Sequence, residues 1–107
     1  MAVDTSTACC TPRLAGHVDA ARATAVADLA KLLSDPIRVQ VLEVLRGHDG
    51  EVCQCELQPL FDVSQPTLSH HLKKLRDANV VGVERRGLWA YYHVLPNAMK
   101  ELSEWLS

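Results

Sequence analysis

The apolar period of this chain changes once, near Asn79, and that change limits the folds open to it. Before it, Leu68, Leu72 and Leu75 recur at helical spacing. After it, Val80 to Glu84 and Leu88 to Val94 read as two strand-like runs. Arg85-Arg86-Gly87 links the runs as a hairpin tip, and Asn79 suits the left-handed stop of the preceding helix. A helix that leads directly into a short hairpin is the anchor for everything upstream.

Upstream, Asp19 to Leu33 is alanine-rich, with Val26, Leu29, Leu32 and Leu33 at helical spacing. Ser34-Asp35-Pro36 then stops one helix and starts the next, because Asp35 can cap and Pro36 suits a first helical position. The second helix, Ile37 to Arg46, is followed by the loop Gly47-His48-Asp49-Gly50. A short third helix is expected over Cys55 to Phe61, with Leu57, Leu60 and Phe61 turned inward. After Asp62-Val63, Ser64 caps a fourth helix that carries Pro66 just inside its start. A last helix is expected over Asn97 to Leu106. The order is four helices, a two-stranded wing and a helix, which makes a mainly α fold.

With 48% apolar and 22% charged residues in 107, the chain is expected to form one globular domain over residues 19–107, preceded by a flexible cysteine-bearing arm over 1–18. No apolar run is long enough to span a bilayer and no signal peptide opens the sequence, so a cytoplasmic protein without a membrane partner is expected.

The net charge of −2 hides a gradient. Between His70 and Arg86, Lys73, Lys74, Arg76, Arg85 and Arg86 face only Asp77 and Glu84. A local basic stripe is what phosphate contact requires, whatever the sum over the chain. Two short helices joined by a tight turn, the second capped and polar, form a helix-turn-helix, and the hairpin makes it winged. Ser64, Gln65, Thr67, Ser69, His70, Lys73 and Lys74 are the candidate DNA-binding residues of the recognition helix, with Arg85 and Arg86 on the wing. Gln65 and Thr67 lie where such a helix enters the major groove, and Gln can pair with adenine. Lys73 and Lys74 would hold phosphate. His71 projects nearer the buried stripe and reads as a packing histidine. A polar surface helix beside an ordinary hairpin is the plain alternative, but the succession of turn, cap, basic positions and basic hairpin argues against it. One recognition helix reads few base pairs, so a homodimer on double-stranded operator DNA is expected, with half-sites about 34–36 Å apart. Trp105 and Leu106 would be buried either against that partner or in the monomer's own core.

Four cysteines, Cys9, Cys10, Cys53 and Cys55, would form disulfides only in an oxidising compartment, so free thiols are expected. Thiolates are soft ligands for thiophilic ions. Residues two apart on a helix face different ways, so Cys53 must precede the regular helix if it and Cys55 share an ion. A helix N-terminus would favour their thiolates. Cys53 and Cys55 can also be read as small buried apolar residues, or as a pair that oxidises. An enzyme is not expected, for the chain has neither Cys-x-x-Cys nor a strand-helix-strand scaffold. A DNA-binding protein with structural zinc would unfold when its metal is removed.

Ser64-Gln65-Pro66-Thr67-Leu68-Ser69-His70-His71-Leu72-Lys73-Lys74-Leu75-Arg76 resembles the recognition helix of the ArsR/SmtB repressors. Leu33-Ser34-Asp35-Pro36-Ile37-Arg38 and Arg86-Gly87-Leu88-Trp89-Ala90-Tyr91-Tyr92 are similar to that family as well. The resemblance runs from about Asp19 to Leu106 and implies a homodimeric repressor, paired through its first and last helices and released from DNA by metal ions. The family's last-helix zinc site needs histidine, which residues 97–107 lack. Glu51-Val52-Cys53-Gln54-Cys55-Glu56-Leu57 resembles its Cys-x-Cys site, although Gln58 stands where many arsenite sensors add a cysteine. Further thiolates would then come from Cys9 and Cys10. Three sulfurs would suit As(III) or Sb(III), and four would suit Cd(II) or Pb(II). Adjacent Cys9-Cys10 resembles the arsenite pattern and favours As(III) or Sb(III) as inducer, with Cd(II)/Pb(II) or a thiol redox signal as alternatives.

Overall fold

The computed structural model describes residue 14, residues 16–48 and residues 51–107. Cys9 and Cys10, and with them most of the expected arm, lie outside the described residues. Helix α1 (Ala20–Leu32) begins at Asp19, whose carboxylate accepts the Arg22 N–H at 3.0 Å. Helix α2 (Pro36–Arg46) starts as the residues dictate: Asp35 accepts the Ile37 N–H at 2.8 Å, and Pro36 occupies a position that needs no donor.

A two-residue strand β1 (Val52–Cys53) follows and leads directly into α3 (Gln54–Leu57). The expected third helix is therefore shorter, and residues 58–60 form a 3-10 turn. Pro59 has no N–H to continue the α pattern, and the chain tightens around it. As a result Leu57 is fully buried while Leu60 remains 60% exposed, contrary to its expected inward position.

Helix α4 (Gln65–Asp77) is capped by Ser64, which accepts the Thr67 N–H at 3.3 Å. It ends at Asn79, whose φ is 59°. The Val80 N–H then reaches the Leu75 carbonyl at 3.0 Å and the Asn79 N–H reaches Arg76 at 2.9 Å, which together satisfy the last carbonyls in a Schellman motif.

Strands β2 (Val81–Arg86) and β3 (Trp89–Val94) form the wing. The tip is Gly87-Leu88, one residue later than expected, since Arg85 and Arg86 pair with Ala90 and Trp89. Gly87 has φ 63°, which a two-residue hairpin needs at its first central position. The sheet has three strands where two were expected, in the order β1-β3-β2, with Val52 opposite Tyr92 and Cys53 opposite Tyr91. Helix α5 (Lys100–Leu106) begins later than expected because Asn97 takes φ 60°, outside the helical range.

The core is built from Val41, Leu42 and Leu45 of α2, Leu57 of α3, Leu68, Leu72 and Leu75 of α4, and Val80, Val81 and Tyr92 of the wing. Leu68, Leu72 and Leu75 are spaced four and three apart, and Leu45 lies one turn beyond Val41 and Leu42, so one face of α2 and one of α4 close on the sheet. Helix α5 packs against α1 and leaves Trp105 59% and Leu106 67% exposed. Among the described residues no helix is long and apolar enough to cross a membrane.

Candidate nucleic-acid interface and thiol cleft

The buried stripe of α4 turns its polar residues outward. Gln65, Thr67, His70, Lys73 and Lys74 are exposed, as is the cap Ser64. Ser64 and Thr67 are engaged with each other, the Ser64 hydroxyl lying 2.9 Å from Thr67 Oγ1. Lys73 ion-pairs with Asp77 at 2.9 Å one turn away, and this contact draws the Asp77 carboxyl below its usual range. Both side chains are in water, so the pair is weak and Lys73 can exchange it for phosphate. Ser69 is set differently. It is half-buried and accepts a hydrogen bond from Gln54 Nε2 at 2.7 Å.

His71 faces α2. Arg38 Nη1 donates to its Nδ1 at 3.2 Å, while Arg38 Nε donates to the Leu32 carbonyl at 2.6 Å. His71 Nε2 lies 4.0 Å from Asp35. The partial burial of Asp35 opposes its ionisation, but the Ile37 N–H and His71 outweigh this and hold its pKa below the usual value. The turn between α1 and α2 is thus tied to the recognition helix, a link that sequence reading missed. The only hint was His71 falling beside the leucine stripe.

On the wing, Arg85 and Arg86 are both exposed but differ in their partners. Arg86 is bound to Glu84 and Glu51 and lies 4.6 Å from the Tyr91 ring centre. Arg85 forms no ion pair among the described residues and lines a cleft of about 530 Å³. The same cleft is lined by Cys53, Cys55, Gln65 and Trp89. It therefore brings together the thiol pair, the leading end of α4 and the wing.

Cys53 precedes the regular turn of α3 as its N-cap, with φ −68° and ψ 141°. Its Sγ accepts the Cys55 N–H at 3.3 Å, and Glu56 reaches back to the Cys53 N–H at 2.9 Å, forming a capping box. Both thiols are free; Cys53 is buried, as its apolar reading allowed, and Cys55 is exposed. The expectation that the helix terminus favours both thiolates is corrected at Cys55. A hydrogen bond with the Cys53 thiol and partial desolvation push its pKa up, and the single turn of α3 has too little dipole to reverse this. Among the described residues no group of three or more His, Cys, Asp or Glu side chains is placed to hold a metal. The structure therefore brings together two of the four expected sulfurs, and Cys9 and Cys10 lie outside the described residues.

A capped recognition helix, its preceding helical turn and a basic antiparallel hairpin define a winged helix-turn-helix DNA-binding protein. The chain belongs to the arsR family of bacterial regulatory proteins, whose description matches residues 35–83. It is 33% identical over 76 residues to an HTH-type transcriptional regulator of Methanocaldococcus jannaschii, a match covering 71% of this chain and 84% of that protein. It is 42% identical over 62 residues to an arsenical resistance operon repressor of Bacillus subtilis, covering 58% of each. A cadmium resistance regulator homologue of Staphylococcus aureus is 34% identical over 79 residues, 74% of this chain and 64% of that protein. The match thus spans less than two thirds of either resistance regulator. The fold is shared with the crystal structure of the transcriptional repressor BigR of Xylella fastidiosa, at a TM-score of 0.64 and 32% identity over 78% of this chain and 82% of that one. These relatives are regulators, not enzymes, and so is this chain.

Proposed function

We propose that the chain is a homodimeric cytoplasmic repressor that binds operator DNA through α4 and the wing and releases it when cysteine thiolates capture As(III) or Sb(III). The observation that carries this reading is the shared cleft, in which Cys53 and Cys55 face the same space as Gln65 and Arg85. An ion held there sits beside DNA-facing groups of both the helix and the wing. The donor set fits a thiophilic ion, for two sulfurs line the cleft without a carboxylate or imidazole among its walls. In this reading Cys9 or Cys10 supplies the third sulfur, from the same subunit or its partner. Ser64, Gln65, Thr67, His70, Lys73, Lys74 and Arg85 face the duplex, and Arg86 orders the wing. The similarity to the Bacillus arsenical resistance repressor supports As(III) as inducer.

A four-sulfur Cd(II) or Pb(II) site is the second reading, supported by the similarity to the cadmium resistance regulator homologue.

Titrating the reduced protein on its promoter fragment with arsenite, cadmium and peroxide, alongside each cysteine-to-serine variant, tests the reading. Release by arsenite that is lost in Cys53→Ser and in Cys9→Ser or Cys10→Ser is expected. Release that persists after removal of all four thiols would overturn it.

A further inference from the structure

We infer that Gln54 is the positioning residue through which the thiol pair controls the DNA affinity of α4. The inference rests on the reading that Cys53 and Cys55 are the sensing thiols. Gln54 stands between them as the first residue of α3, and its Nε2 donates to Ser69 Oγ on α4 at 2.7 Å. Among the described residues this is the one side-chain hydrogen bond that joins α3 to the recognition helix. Ser69 lies one turn beyond Gln65, so the bond anchors α4 next to the end that enters the cleft.

The geometry around Gln54 gives the bond two states. Cys53 Sγ accepts the Cys55 N–H at 3.3 Å, and the two thiols, Cys53 buried and Cys55 exposed, are hydrogen-bonded to each other. An ion held by both sulfurs displaces the proton of the thiol–thiol hydrogen bond and takes the Cys53 Sγ lone pair away from the Cys55 N–H, so the turn 53–55 must readjust. Gln54 is the middle of that turn and cannot stay in place while its two neighbours rotate. Cys53 is held from the other side by its pairing with Tyr91 on β3, so the readjustment falls on residues 54 and 55. The arrangement with the Gln54–Ser69 bond belongs to the DNA-binding state, and the arrangement with an ion between the two sulfurs gives the bond up.

The bond therefore contributes to operator affinity only in the ion-free protein. Gln54→Met keeps the volume and removes the donor. Operator affinity is measured for the full chain with and without sodium arsenite, and with and without cadmium chloride, in wild type, Gln54→Met and Gln54→Ala. In both variants the ion-free affinity is expected to fall roughly two- to tenfold, the effect of one lost hydrogen bond. The ion-loaded affinity should match that of wild type, so the ratio between the two states shrinks by the same factor. By reciprocity, DNA should then weaken ion binding less in the variants than in wild type. A purely structural glutamine would lower both affinities together and leave the ratio unchanged, and that result overturns the inference. A wild-type protein that neither ion releases overturns the reading beneath it and the inference with it. A wild-type response that is lost in Cys53→Ser but intact in Gln54→Met overturns the inference alone.

Discussion

Arg86, at the end of β2, is ion-paired with Glu51, the residue immediately before β1, so the tip end of the wing is fastened to the segment that carries Cys53. Glu84 on its own strand holds the same guanidinium, and with Glu51 it raises the Arg86 pKa further. Two adjacent arginines of equal formal charge thus have different work: one orders the wing and the other is left to solvent.

This division predicts different phenotypes. Arg85→Ala should weaken operator binding on any sequence and lower the dependence of log K on log salt by about one. Arg86→Ala should change that slope less but lower the melting temperature, because Glu51 and Glu84 lose their shared partner. Binding isotherms at several salt concentrations, with thermal melts of both variants, check the contrast.

Cys55 should titrate above an ordinary thiol because the Cys53 thiol holds its proton. In a Cys9→Ser/Cys10→Ser background, alkylation of Cys55 should rise with pH at a higher midpoint than in the same protein carrying Cys53→Ala. Since the folded pKa is raised, the contribution of this group to stability is present at lower pH and fades as pH climbs through the folded value. Ion capture displaces that proton, so apparent ion affinity should increase with pH across the neutral range. Alkylation rates and competition titrations at stepped pH measure both trends.

Leu72 is completely buried in the centre of α4. Leu72→Ala removes its contacts with the core and leaves a cavity, which should cost about 2–5 kcal/mol in urea unfolding. A surface change on the same helix, Lys73→Ala, should alter stability far less while reducing DNA affinity.

Trp105 and Leu106 remain exposed on α5 even though that helix already packs against α1. In the proposed dimer they lie under the partner subunit. Trp105→Glu should shift the protein toward monomer in sedimentation velocity and weaken operator binding, since a single recognition helix spans too few base pairs. A variant that stayed dimeric at all concentrations would place the interface elsewhere.

The helical frame was legible because its signals are local. Asp35-Pro36 and Ser64-Gln65-Pro66 carry their caps within three residues, and the leucines of α4 report their buried face by spacing alone. Strand β1 was not legible. Two residues are too few to show a period, and Val52 and Cys53 become a strand only because Tyr91 and Tyr92 arrive beside them. The extent of α3 was missed for a related reason, since one proline in a short segment decides between an α turn and a 3-10 turn. The cysteine pair could be picked out by residue type, but its unequal burial could not, because that depends on which sulfur the strand carries inward.

By itself the order of residues determined where helices start and stop, that a hairpin follows the recognition helix, and that two thiols flank Gln54. Only the tertiary structure decided that Gln54 reaches Ser69, that Arg86 is ion-paired while Arg85 has no ion pair among the described residues, and that thiols, helix and wing open onto one cleft. Capping and periodicity act within a turn or two of chain, whereas these contacts join residues 15 and 35 positions apart and exist only once the core has closed.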